Sequence, residues 1–163
     1  MEQSKLLDYY RDRGCSLQWR RFLDAFAEEI ADALTPHDQR LLLARVGRRF
    51  AEANPVPAVE TLEALQDAFN AIWRPLDWGF VVCEEMSDRL RLNHYAAPLA
   101  VALPGCPDWS EGFLEGVYHA WFQQVGLLPG LEVRAMPDQD SPDVRQLEPR
   151  RLACRPPARP ASF

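Results

Sequence analysis

The segment "WGFVVCEE" at residues 78–85 ends in two adjacent carboxylates, the first arrangement in this chain that could do acid–base chemistry. A pair that hydrolyses a glycoside must flank one bond across a fixed gap, one group protonated and the other ionised. Phe80, Val81 and Val82 are strand formers, and neighbours in a strand point to opposite faces. Glu84 and Glu85 are therefore expected to be solvated side chains that cannot converge on one substrate. His37, His94 and His119 lie in separate segments with no HxxxH or H-x-E spacing, so neither a metal site nor a catalytic dyad is expected. Cys15, Cys83, Cys106 and Cys154 form no CxxC pair and read as separate thiols of a reducing compartment. No P-loop, GxGxxG or GxSxG motif occurs. The expectation is no catalytic residue, no metal and no cofactor.

The 163 residues suit one domain, and 47% hydrophobic with 10% aromatic residues suit a folded body. A formal charge of −6 argues against nucleic acid or an anionic membrane as the main partner. Lys5 is the only lysine among the cations. No apolar run approaches a membrane span, and "MEQSKLLDYYRDRGCS" lacks an apolar secretory core. A soluble cytoplasmic protein is the default expectation, with the periplasm as its alternative.

Residues 1–16 read as a flexible N-terminal arm, 17–137 as the folded core and 138–163 as a polar, Pro-rich C-terminal segment. Ser16 can cap a helix over 17–34, with Trp19, Phe22, Leu23, Phe26, Ile30 and Leu34 on one stripe. "TPHD" at 35–38 restarts the helix, with Thr35 as cap, Pro36 at the first position and Asp38 in the first turn. This second helix is expected to bury Leu42, Val46 and Phe50. Gly47 inside it costs about 1 kcal/mol relative to alanine, which suggests another backbone passing close by. A third helix is expected from Ala58 to Trp73, stopped by Pro75.

"RLRLNHY" at 89–95 alternates with period two and makes a hairpin with 80–85. Asp108 and Glu111 have capping-box spacing for a fourth helix over 109–125, with Gly126 just past its end. "LEVRAM" reads as a third strand, and "RRLAC" leaves room for an edge strand before a disordered tail. The fold class expected is α+β, about four helices on a small antiparallel sheet of three to four strands.

The fourth helix has apolar residues over about half its circumference at about 100° per residue. Gly112, Gly116 and Ala120 line a second face at i, i+4, i+8. Close backbone approach there could be intramolecular, against the sheet or Gly47, or could be an oligomer interface. Tyr9, Tyr10 and Trp19, near the arm, are the rings expected to be open to a sugar; Trp73, Trp78 and Trp121 are expected in the core.

"FLDAFAEEI", "LLARVGRRFA", "LQDAFNAIWRPLDWGFV" and "FLEGVYHAWFQQVG" occur in an order and spacing that resembles the cellulose synthase D-subunit family, BcsD of bacterial cellulose biosynthesis. The likeness spans Phe22 to Met136. Its sharpest parts are Val46-Gly47-Arg48, Trp78-Gly79-Phe80 and Leu114-Glu115-Gly116-Val117-Tyr118 with Trp121. The resemblance implies a non-catalytic accessory of the cellulose-synthesising complex, assembled from dimers into a closed octamer. It implies glucan chains guided through internal passages lined by N-terminal segments. It also implies two partners, a proline-rich accessory protein and the inner-membrane cellulose synthase.

The reading that follows is a homo-oligomeric scaffold that fixes the spacing of emerging glucan chains. Its rival is a small-ligand-sensing regulatory domain with an apolar cleft between helices and sheet. A hydrolase is the weakest reading.

Overall fold

The computed structural model describes residues 5, 9, 10, 12–103, 107–127, 130–137, 141 and 143–151, with the backbone alone at 107 and 108. The elements are α1 (Leu17–Ala33), α2 (Pro36–Ala53), α3 (Leu62–Trp73), β1 (Phe80–Glu85), β2 (Leu90–Tyr95), α4 (Leu99–Ala102), α5 (Pro107–Ser110), α6 (Gly112–Gln124), β3 (Leu131–Ala135) and β4 (Val144–Arg151). The fold is α+β, with helices against one four-stranded antiparallel sheet of order β1-β2-β4-β3.

Helix starts follow local side-chain chemistry. Thr35 accepts the Asp38 N–H at 3.2 Å and donates its hydroxyl to that carboxylate at 2.7 Å, which fixes the start of α2. Thr61 does the same for α3 by accepting the Ala64 N–H at 3.1 Å. That cap is why α3 begins at Leu62 and not at Ala58: Pro55 and Pro57 precede it in a non-helical stretch. Ser16 makes no side-chain cap, contrary to expectation. Instead Arg20 Nε donates to the Cys15 carbonyl at 2.9 Å.

Behind Trp73 the chain makes one 3-10 turn over Arg74–Leu76, and Asp77 adopts a left-handed conformation at φ 56°. Gly79 has φ 76°, and a Cβ there would collide with the Tyr95 carbonyl oxygen. Only glycine fits, and β1 begins at the next residue, paired Phe80↔Tyr95.

Helix side chains reach the backbone of both edge strands, at Val81 and Cys83 of β1 and at Ala135 of β3. Asn70 of α3 accepts the Val81 N–H at 2.7 Å and donates to its carbonyl at 2.9 Å, while Gln66 accepts the Cys83 N–H at 2.8 Å. At the other edge Glu115 of α6 accepts the Ala135 N–H at 2.7 Å. Edges blunted in this way cannot easily recruit another strand.

The main core is aromatic: Phe69, Trp73, Tyr118 and Trp121 are fully buried between helices and sheet, with Val81, Leu92 and Leu147 beneath them. Phe69 stacks on Trp121 at 5.0 Å and Phe50 on Trp73 at 5.3 Å. Val46, expected inside, is 45% exposed, because the face of α2 that meets α6 is the Arg40, Ala44, Gly47 side.

Three expectations meet the structure here. The fourth helix is two helices, and Glu111, at the N-cap of the second, makes no side-chain cap to it; it lies 3.6 Å from Arg145 and 3.9 Å from Arg40. The last strand is Val144–Arg151, between β2 and β3 over residues 144–147 and paired with β3 alone beyond them; it takes in the first two residues of "RRLAC", whose residues from 152 lie outside the described residues, as does the tail expected to be disordered. Gly112, Gly116 and Ala120, the residues expected to allow close backbone approach, are buried inside the protomer where α6 meets α2. A Cβ at Gly112 or Gly116 would collide with the carbonyl oxygens of Arg40 or Ala44, and one at Gly47 with that of Phe113. Small residues from both helices interlock, so the backbone approach suggested by Gly47 is to α6.

Candidate functional surface

Helix α1 presents two apolar faces. Ala27 and Ile30 are buried with Leu103 and Trp109, and Leu23, Leu34, Leu42 and Leu43 pack around them. At about 100° per residue, Trp19, Phe22 and Phe26 lie beside that stripe and not on it. They are 59%, 58% and 46% exposed, against the expectation that Phe22 and Phe26 belong to the core stripe. The three rings form a ladder, Trp19 edge-on to Phe22 at 5.8 Å and Phe22 stacked on Phe26 at 6.1 Å. Three large adjacent aromatic side chains left in water are the kind of patch that marks an interaction surface.

Tyr9 and Tyr10 are also exposed, edge to face at 5.6 Å, and Arg13 donates to the Tyr9 hydroxyl at 3.2 Å. Of the three rings proposed to meet a sugar, Trp19 thus joins Phe22 and Phe26, while Tyr9 and Tyr10 pair with each other. Composition held one signal for this: α1 spreads its apolar residues over more arc than a single core-facing stripe needs.

The groups that could have done chemistry are dispersed. Glu84 and Glu85 are both exposed on β1, paired with Arg91 and Leu90. Among the described residues no three His, Cys, Asp or Glu side chains converge as a metal-binding group. Cys15 and Cys83 are free thiols, and burial pushes the Cys83 thiol up to about 12. Glu115 of α6 is buried. Arg40 donates to it through Nε at 2.9 Å and through Nη2, so the carboxylate ties α6 to α2 as well as to the sheet edge.

His94 is buried, and its tautomer follows from its neighbours. Trp73 Nε1 donates to the Tyr118 hydroxyl at 3.0 Å, leaving that hydroxyl's own proton for His94 Nδ1 at 2.7 Å. Nε2 then carries the ring proton and donates to the Trp78 carbonyl at 2.7 Å. Burial lowers the imidazole to about 4, and a second ring proton would leave the Tyr118 hydroxyl proton without its acceptor. The ring is a neutral structural lock between α3, β2 and α6.

The Phe69, Trp73, Tyr118 and Trp121 side chains fill the space between helices and the middle of the sheet, and a concavity of about 510 Å³ where α6 meets the sheet is lined by Leu90, Phe122, Leu131, Val133 and Pro149 among others. A concavity of about 580 Å³ lies between α2, α6 and β3 and has several charged residues in its lining.

The family model for the D subunit of cellulose synthase matches residues 5–148. A protein of Komagataeibacter xylinus named cellulose synthase operon protein D is 33% identical over 104 residues, 61% of this chain and 66% of the relative. Its namesake from Komagataeibacter sucrofermentans is 32% identical over the same extent. The chain spans about two thirds of the length of these relatives.

Proposed function

Because the chain belongs to the cellulose synthase D-subunit family, we propose that it is a non-catalytic accessory component of a bacterial cellulose synthase complex. It assembles with itself, toward an octamer built from dimers, and holds emerging glucan chains in register for export and crystalline packing. The observation that carries this reading is the stacked Phe22–Phe26 pair beside Trp19, apolar rings that one protomer leaves uncovered. Phe22 and Phe26 have the chemistry of a contact between protomers, and a second copy is the occupant that a homo-oligomer supplies.

Tyr9, Tyr10 and Trp19 offer exposed ring faces on which pyranose rings stack, and they are proposed as the glucan contacts. None of the described helices is long and apolar enough to cross a membrane, so association with the inner-membrane synthase, from the cytoplasmic side, is proposed to run through protein contacts. A proline-rich accessory protein is the second proposed partner.

The test is cellulose made by cells carrying Tyr9→Ser, Tyr10→Ser and Trp19→Ser together. The expected outcome is an intact assembly with reduced crystallinity, read by X-ray diffraction of the washed polymer. Wild-type yield and crystallinity would remove these rings from the mechanism.

A further inference from the structure

The concavity of about 580 Å³ between α2, α6 and β3 gathers four guanidiniums, from Arg40, Arg45, Arg48 and Arg134, with the imidazoles of His37 and His119. That concentration stands out in a chain whose formal charge is −6. Three carboxylates share the groove, and each is already engaged. Asp38 takes the Thr35 hydroxyl at 2.7 Å, Glu115 takes Arg40 and the Ala135 N–H, and Glu132 takes Arg134 at 2.6 Å. Arg45 and Arg48 are exposed, three residues apart on one face of α2, and no carboxylate among the described residues is within ion-pair distance of either.

Two unpartnered surface arginines are ordinarily just solvated. Here they line a concavity that also takes in His119, half-buried and depressed in pKa by burial and by the charge of Arg48. Leu41, Leu42 and Val133 give the groove an apolar lining. A guanidinium fork matches phosphoryl or carboxylate oxygens in a bidentate way, and like charges along a cleft raise the local concentration of anions.

We propose that this groove binds a small organic anion, its phosphoryl or carboxylate oxygens held by Arg45 and Arg48 and its apolar body against Leu41, Leu42 and Val133. Binding there is separate from the α1 surface and from any glucan contact, so it gives the protein an input of its own.

The experiment is isothermal titration calorimetry at fixed ionic strength with three probes, sodium pyrophosphate, phenyl phosphate and citrate. It compares the wild-type chain with Arg45→Gln, Arg48→Gln and the double variant. Glutamine preserves helix propensity, and unchanged circular dichroism checks the fold. The expected result is saturable binding of at least one probe, weakened about tenfold by each single substitution. Tighter binding of the two phosphates than of citrate assigns a phosphoryl ligand, and the reverse assigns a carboxylate. Absence of saturable heat from all three probes, or wild-type affinity in the double variant, overturns the proposal.

Discussion

His94 shows how one residue can govern the acid behaviour of the molecule. Its pKa is about 4 in the folded chain against 6.5 for an ordinary histidine, so the fold favours the neutral ring. That contribution is complete above about pH 6.5 and is lost as pH falls toward 4, by about 2 kcal/mol at pH 5 and about 3 kcal/mol at pH 4. Urea midpoints taken from pH 7 to pH 4 are expected to fall along this curve. In His94→Gln the midpoint should be lower at pH 7 and depend less on pH across that window; an unchanged slope would take His94 out of the explanation. Gly116 is the second such residue. Because a Cβ there meets the backbone of Ala44 and not a flexible side-chain end, Gly116→Ala should cost at least about 1–3 kcal/mol by forcing α2 and α6 apart. Calorimetric melting checks this, and full stability with a smaller assembly would instead place the glycine at a contact between protomers. The glycine spacing was readable in the sequence; whether the approaching backbone was internal or a partner's was not, since spacing carries no partner identity.

At the scale of elements, α2, α3, the β1–β2 hairpin and β3 were legible, because caps, prolines and alternation act locally. β4 was not. Its burial includes Arg145 and Glu148, made possible by ion pairs to Glu111 and Arg91, and such residues break an apolar alternation pattern. Pro149 reads against an interior strand, yet β2 pairs with β4 only from Tyr95↔Val144 to Leu92↔Leu147, so at 149 β3 is the remaining partner strand. The faces of α1 were only partly legible: periodicity gave the arc, but which part the protomer covers depends on Leu103 and Trp109, far along the chain. Phe22→Ser with Phe26→Ser tests that division. Since both side chains are exposed, stability of the protomer should change by no more than about 0.5 kcal/mol for each, while sedimentation should show the assembly breaking down. Loss of fold would mean that these rings serve the protomer's own core.

For the whole molecule, the wide apolar girth of residues 109–125 is consumed by the protomer's core, while α1 keeps three adjacent aromatic side chains uncovered. Asn70 and Gln66 on β1 and Glu115 on β3 take up edge backbone groups that another strand would need, which favours helix faces in the proposed assembly. An accessory protein that works by geometry must exist as a defined assembly of its own. Multi-angle light scattering of the purified chain at micromolar concentration measures this most directly. The account predicts one species of about eight copies of the 18.6 kDa chain, stable to dilution. A single species at the mass of one chain would contradict it.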